Sequence, residues 1–295
     1  MPPLIKKILL AACASALLAL PVLVWLYTPN LGDDPVPVLS KYLRLLYARD
    51  LGQAYRFIST VDQRIKKRED YMRERGAFTG FALEAARTLA ELIEVRLASL
   101  QMDGPRSRVK VALKLPDANA VAPLLLDWDE ERLNALPATE QKKILLNIDR
   151  LAHDKKLPMI EGEQEFILVK ENSQWKVFLN WASGVKVKFA TIVPSDDTIT
   201  AEPISRETIA RSGEPFTIGY KVKNHASKEI RTRIVHIVEP AELKQHLDLV
   251  ECALLLPVLL RPGEEQVYNS TYLVRGDLPD RTKTLNVTYE FKVEP

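Results

Sequence analysis

The longest unbroken apolar stretch in the chain runs from Ile8 to Tyr27, without a charge, behind Lys6 and Lys7 and ahead of the polar break Thr28-Pro29-Asn30. As a helix it would be roughly 30 Å long, the thickness of bilayer hydrocarbon. The pattern predicts an uncleaved single membrane span over 8–27. A signal peptide would have a shorter apolar region, and Ala14-Ser15-Ala16 falls too early to be its cleavage site. Leu10-Ala11-Ala12-Cys13 spells a lipobox, but the run stays apolar well beyond Cys13, which argues against lipidation there. The lysines precede the span and no comparable cluster follows it, so residues 1–7 are expected in the cytoplasm and everything after Tyr27 outside it.

Residues 28–37, with three prolines and an acidic pair, read as a linker. Helical spacing then begins: Leu39, Tyr42, Leu43 and Leu46 share one face, and Leu51, Ala54, Tyr55 and Ile58 share another after a break at Arg49-Asp50. The run Arg64 to Arg75 mixes acids with bases and reads as a solvated helix face. Ala82 to Leu92 is expected to be helical. Ile93–Met102 and Val109–Leu115 flank Asp103-Gly104-Pro105 and alternate as a β-hairpin. Residues 128–153 read as helical and polar, either an insertion or a helix laid over the sheet. Glu165–Lys170 and Trp175–Trp181 form a second hairpin.

After Ser183-Gly184 the period changes from mixed to strand-like. VKVKFATI, FTIGYKVKN, EIRTRIVHIV, LDLVECALLLPVLL, EQVYNSTYLV and KTLNVTYEFKV are separated by turn residues. Six or seven strands at such short spacing predict an all-β sandwich of about 110 residues.

A length of 295 residues suits two domains plus an anchor. The 41 basic and 39 acidic residues give a net charge of +2, which supplies no broad cationic field for nucleic acid. Two cysteines far apart, one of them in the apolar segment, make no disulfide framework. The sequence holds no Gly-rich phosphate loop, paired-carboxylate motif or zinc spacing, and nothing in it argues for an enzyme. His153 ends a Lys-rich helix, where a histidine complements the helix C-terminus more often than it catalyses. Tyr42, Tyr55, Trp175 and Trp181 either line a pocket or, as is commoner, fill the core. Asn269-Ser270-Thr271 and Asn286-Val287-Thr288 match the glycosylation sequon on expected strands and are read as chance.

Cys252 is the one cysteine outside the apolar N-terminus. It lies twelve residues after Pro240 and ten before Pro262-Gly263-Glu264. That frame resembles the CtaG copper chaperones of cytochrome c oxidase assembly, in which a Cys-Phe-Cys-Phe strand follows Val-x-Pro and precedes Pro-Gly-Glu. Further matches run in the same order: Val187-x-Phe189, Gly213-Glu214 leading to Tyr220 and Asn224, Val238-Glu239-Pro240, and the closing Thr284-Leu285-Asn286-Val287-Thr288-Tyr289. The helices-then-hairpins order of 38–183, ending in a Gln-Trp-Lys-Val strand, resembles the cone-shaped domains of the nuclear-transport-factor-two and SnoaL-like superfamily.

Together these resemblances imply an α+β cone-like domain (38–183) followed by an all-β immunoglobulin-like sandwich (184–295), anchored in a bacterial inner membrane with the bulk in the periplasm. The implied function is assembly of a haem-copper oxidase, with copper(I) as cargo at Cys252. An alternative is a copper-free scaffold for a membrane complex; a third is a small-molecule carrier working through the cone's pocket. On a strand, Cys252 and Leu254 would share one face, with Ala253 and Leu255 on the other. Leu254 thus stands where the family has its second cysteine, and the family's cysteine just past the membrane span is also missing. One thiolate holds copper(I) poorly, so a further ligand would come from a second copy in a homodimer or from the recipient oxidase subunit. His236 and His246 lie nearby in sequence but on no family ligand position. Without a metal, Cys252 is a small buried apolar residue.

Overall fold

The computed structural model describes residues 34–294, apart from Asp196, Asp277, Asp280 and Arg281. The expected membrane span over 8–27 therefore lies outside the described residues. Among those that are described, no helix is long and apolar enough to cross a membrane.

The α+β part begins earlier than the linker reading allowed, because helix α1 spans Val36–Tyr47. Pro37 falls in the first turn, where its missing N–H costs no helical bond. Leu39, Tyr42 and Leu43 are its buried face. The second helical face is a four-residue helix, α2 (Leu51–Ala54), running into a tight turn at Tyr55–Phe57. Ser59 then caps α3 (Thr60–Ile65), its hydroxyl accepting from Asp62 N at 3.2 Å. Helix α4 (Arg68–Arg75) stops at Gly76, whose φ of +63° suits a residue without a Cβ. Helix α5 covers Gly80–Glu91.

Two long hairpins follow. Strands β1 (Glu94–Asp103), β2 (Arg106–Pro116), β3 (Met159–Glu171) and β4 (Gln174–Phe178) form one antiparallel sheet in sequence order. Alternation divides its faces: Val109, Val111, Leu113, Leu168 and Val177 pack against α1 to α4, while Lys110, Lys114, Glu161 and Glu163 pair across the solvent face. Between β2 and β3 the chain forms helices α6 (Ala118–Val121), α7 (Glu130–Ala135) and α8 (Ala138–His153). The last two pack on α5 around Leu89, Leu133 and Ile148 as a separate small core. Tyr42, Trp175 and Trp181 are buried and Tyr55 is half-buried, so these aromatics are core residues.

The C-terminal part is a two-sheet sandwich. One sheet has the order β10 (Leu247–Cys252), β12 (Glu265–Val274), β8 (Pro215–Asn224), β6 (Ile199–Pro203). The other runs β11 (Val258–Leu260), β9 (Ile230–Glu239), β13 (Thr284–Glu294), β5 (Val185–Ile192), β7 (Glu207–Ala210), with β13 and β5 parallel. Val187, Ile218, Tyr220, Val222, Leu285 and Val287 fill the space between the sheets.

Two expectations need correction. The run from Leu247 to Leu260 is not one strand: β10 ends at Cys252, Ala253–Leu255 form a tight turn, and β11 joins the opposite sheet. Leu254 is 0% exposed and plugs the core at this crossover, and Pro257 has no N–H for a ladder. Cys252 and Leu254 are therefore not neighbours on one strand face. The charged run at 64–75 is also more than a solvated face. Lys66 and Glu74, 9% and 2% exposed, pair at 2.6 Å, and Thr208 of the sandwich donates to Glu74 at 2.5 Å. Arg75 pairs with Glu214 at 2.7 Å. Helix α4 thus docks the first domain on the second.

Candidate functional site at Cys252 and the interdomain cleft

Cys252 closes β10 directly opposite Ser270 of β12. The pleat aims both inward, so Ser270 Oγ donates to Cys252 Sγ at 3.2 Å. From the other sheet, Tyr289 Oη donates to Ser270 Oγ at 2.9 Å and lies 3.4 Å from the sulfur. Tyr272 Oη donates to Tyr289 Oη at 2.7 Å and makes a long, 3.5 Å contact with His236 Nε2. Tyr220 stacks on Tyr289 with ring centroids 4.3 Å apart. A hydroxyl chain therefore crosses the sandwich and ends on the thiol sulfur. Its members come from β9, β10, β12 and β13, which no short sequence window contains.

Low surrounding polarity sets the protonation of these groups. Burial pushes the phenols of Tyr220, Tyr272 and Tyr289 far above their ordinary range, so all three keep their protons. Burial, helped by Lys244, holds His236 down at about 4, so it is neutral at pH 7. His236 is thus part of the network that leads to Cys252. His246 is buried in the turn Ala241–His246, with Gln245 Nε2 3.2 Å from its Nε2. His153 is exposed at the end of α8.

Cys252 is only half-buried. The residue also borders a cleft of about 1320 Å³ between the two domains, while its sulfur is turned inward to Ser270 and Tyr289. One wall consists of Tyr42, Tyr47, Phe166 and Phe178 of the α+β domain, the other of Thr217, Asn269 and Thr271 on the outer sheet face of the sandwich. Among the described residues no group of three His, Cys, Asp or Glu side chains comes together to hold a metal ion. The donors around the sulfur are hydroxyls, which are hard, and Leu254 points into the core. Among the described residues, those around Cys252 therefore offer a soft ion one thiolate and do not complete a copper(I) site.

Sequence reading missed Asp62. It is 0% exposed and accepts from Ser59 Oγ at 2.7 Å, Leu179 N at 2.8 Å and Trp181 N at 2.7 Å. It ties α3 to the end of the sheet just before the sandwich begins. Its short-range sign was the Ser59-x-x-Asp62 spacing of a helix start.

No curated protein matches the chain. Solved structures similar to it include Escherichia coli alpha-2-macroglobulin activated by porcine elastase, at 10% identity over 68% of this chain and 22% of that one, TM-score 0.23. Salmonella alpha-2-macroglobulin reacted with methylamine is similar at 12% identity over 68% of this chain and 16% of that one, TM-score 0.21. The chain spans less than a quarter of the length of either, and similarity at these scores carries no argument about fold or function. The family comparison is informative, because its match contains Cys252, Ser270, Tyr272 and Tyr289 together: residues 161–292, from within β3 to the end of the sandwich, match the model of the family "Cytochrome c oxidase assembly protein CtaG/Cox11".

Proposed function

We propose that this chain is a membrane-anchored, periplasmic assembly factor for a haem-copper oxidase, and that Cys252 is its working residue. The observation that carries this reading is Cys252 itself, half-buried, with its sulfur on the Ser270 and Tyr289 hydroxyls, within the segment that matches the assembly family. The cone-like domain, which we read as of the nuclear-transport-factor-two type, supplies the far wall of the cleft that this residue borders. Copper(I) is the cargo in this reading. Two-coordinate binding of a soft ion needs one more sulfur or imidazole. The buried Leu254 does not provide it, so the second ligand comes from a second copy or from the recipient subunit. Weak, incomplete coordination suits an ion that must be handed on.

Competitive titration of the full chain in detergent with copper(I) and a chromophoric chelator tests this. Thiolate-dependent binding by monomer or dimer, lost in Cys252→Ala, is the expected result; no difference between the two proteins overturns the copper role. The burial of Leu254 favours a second reading, a copper-free scaffold that holds an oxidase subunit during assembly. In that case tagged protein purified from membranes retains the same subunit with and without Cys252→Ala. No step in either reading makes or breaks a covalent bond, and the chain is read as a chaperone, not an enzyme.

A further inference from the structure

We propose that β1 is the pairing edge of a two-fold dimer, in which two copies of this chain join their sheets through antiparallel β1 strands centred on Leu100. Strand β1 lies at one edge of its sheet and, among the described residues, pairs with β2 alone. The opposite edge is closed within the chain: Ile58 bridges to Val177 of β4, and Ser59 N donates to Val177 O at 2.9 Å. With one open edge, this sheet can extend only onto the same edge of a second copy, and the assembly stops at two. Strand β1 also lies outside residues 161–292, so the contact belongs to the first domain and needs neither Cys252 nor copper.

The side chains of β1 show what is uncovered. Val95, Leu97, Leu100 and Met102 stand opposite Leu113, Val111, Val109 and Ser107 of β2, so they continue the row that α1 to α4 cover. The cover stops at Val95: Leu97, Leu100 and Met102 are 48%, 40% and 47% exposed. Ala98 is an extra residue in this strand, because the register with β2 shifts between Leu97 and Ser99. A bulge can blunt an edge, but this one keeps the apolar row in phase; without it Leu100 and Met102 would turn to the polar face. The strand carries neither Lys nor Pro, the usual guards of an open edge.

Charge picks the register. Ala98 is set aside in both copies, and antiparallel partners must share a face. The longest such pairing is centred on Ser99 and sets Glu94 against the partner's Asp103, two like charges. Centring on Leu97 lays Arg96 against the partner's Ser99 and gains no ion pair. Centred on Leu100, the strands set Leu100 against its own copy, Leu97 against the partner's Met102, and Arg96 against the partner's Asp103. The last two contacts are each made twice. Arg96 is 76% exposed despite its pair with Glu94 on the same strand, and Asp103 is exposed.

The test uses the full chain in detergent, in a Cys13→Ser, Cys252→Ser background. Leu97→Cys combined with Met102→Cys should give a disulfide-linked dimer with diamide, and neither change alone should. Within one strand the two positions are roughly 15 Å apart, too far to join each other. Sedimentation velocity then reads the dimer constant. Leu100→Lys and Arg96→Asp should each weaken it about tenfold, since each sets like charges together across the two-fold. Arg96→Asp with Asp103→Arg should restore most of the loss, and circular dichroism checks that every variant keeps its sheet. A monomer at all concentrations overturns the proposal. So does cross-linking of Leu97→Cys with Leu100→Cys in place of Met102→Cys, or a dimer indifferent to Leu100→Lys and Arg96→Asp.

Discussion

Tyr289→Phe removes a single oxygen from the centre of the Cys252 network and leaves the packed ring in place. That oxygen accepts from Tyr272 Oη at 2.7 Å and donates to Ser270 Oγ at 2.9 Å, in a residue that is fully buried. Each such bond is worth about 1 kcal/mol net, and a buried hydroxyl left without its acceptor costs about 1–3 kcal/mol. The ring keeps its stack on Tyr220. Stability should therefore fall by about 2–3 kcal/mol. Ser270→Ala removes the shared Tyr289–Ser270 bond from its other end and loses the contact to Cys252 Sγ as well. The double variant should cost less than the two single changes added, by about 1 kcal/mol, because the shared bond is counted twice in that sum. Urea unfolding of the full chain in mild detergent, followed by far-ultraviolet circular dichroism, measures all four proteins. A Tyr289→Phe loss below about 0.5 kcal/mol, or strict additivity in the double variant, would refute the view that these hydroxyls act as one network.

Further outcomes follow from other buried polar groups. Asp62→Ala leaves the amides of Leu179 and Trp181 and the Ser59 hydroxyl without their common acceptor. It should destabilise the α+β domain by about 3 kcal/mol or more, read as a shift in tryptophan-detected unfolding. Glu74→Gln strands the Lys66 ammonium at a buried junction and should cost about 3–5 kcal/mol, whereas Lys66→Met with Glu74→Leu should recover much of that loss in the same assay. His236 is held at about 4 against an ordinary value near 6.5, so the unfolded chain takes up its proton first. Its stabilising contribution is complete above pH 6.5 and is lost as pH falls through 4. Discounted for partial exposure the loss is about 1–2 kcal/mol, and His236→Gln should flatten the stability profile in that window.

Regular alternation made much of the fold readable in advance. Val109, Val111 and Leu113 interleaved with Lys110 and Lys114 announced a half-buried strand, and the helical spacing of Leu39, Tyr42 and Leu43 announced α1. The crossover after Cys252 was hidden because an unbroken apolar run shows no period at the point where the chain changes sheets. Strands β6 and β7 are short and set among Pro and Ser residues, so the pattern there read as loop. Lys66 and Glu74 looked like members of a solvated run because their burial depends on Thr208, far along the chain. Likewise, the sequence marked Cys252 but not its setting. Ser270 and Tyr272 share a face of β12, but their meeting with Tyr289 and His236 depends on how two sheets stack, which no local spacing encodes.

The central claim, that Cys252 serves oxidase assembly, is tested most directly by the haem-copper oxidase content of membranes from cells lacking this gene. The reduced-minus-oxidised haem absorbance is compared after complementation with the wild-type chain or with Cys252→Ser. The account predicts that the wild-type chain restores the oxidase signal and Cys252→Ser does not, although both proteins accumulate equally. Full restoration by Cys252→Ser, or an undiminished signal in the deletion strain, would contradict it.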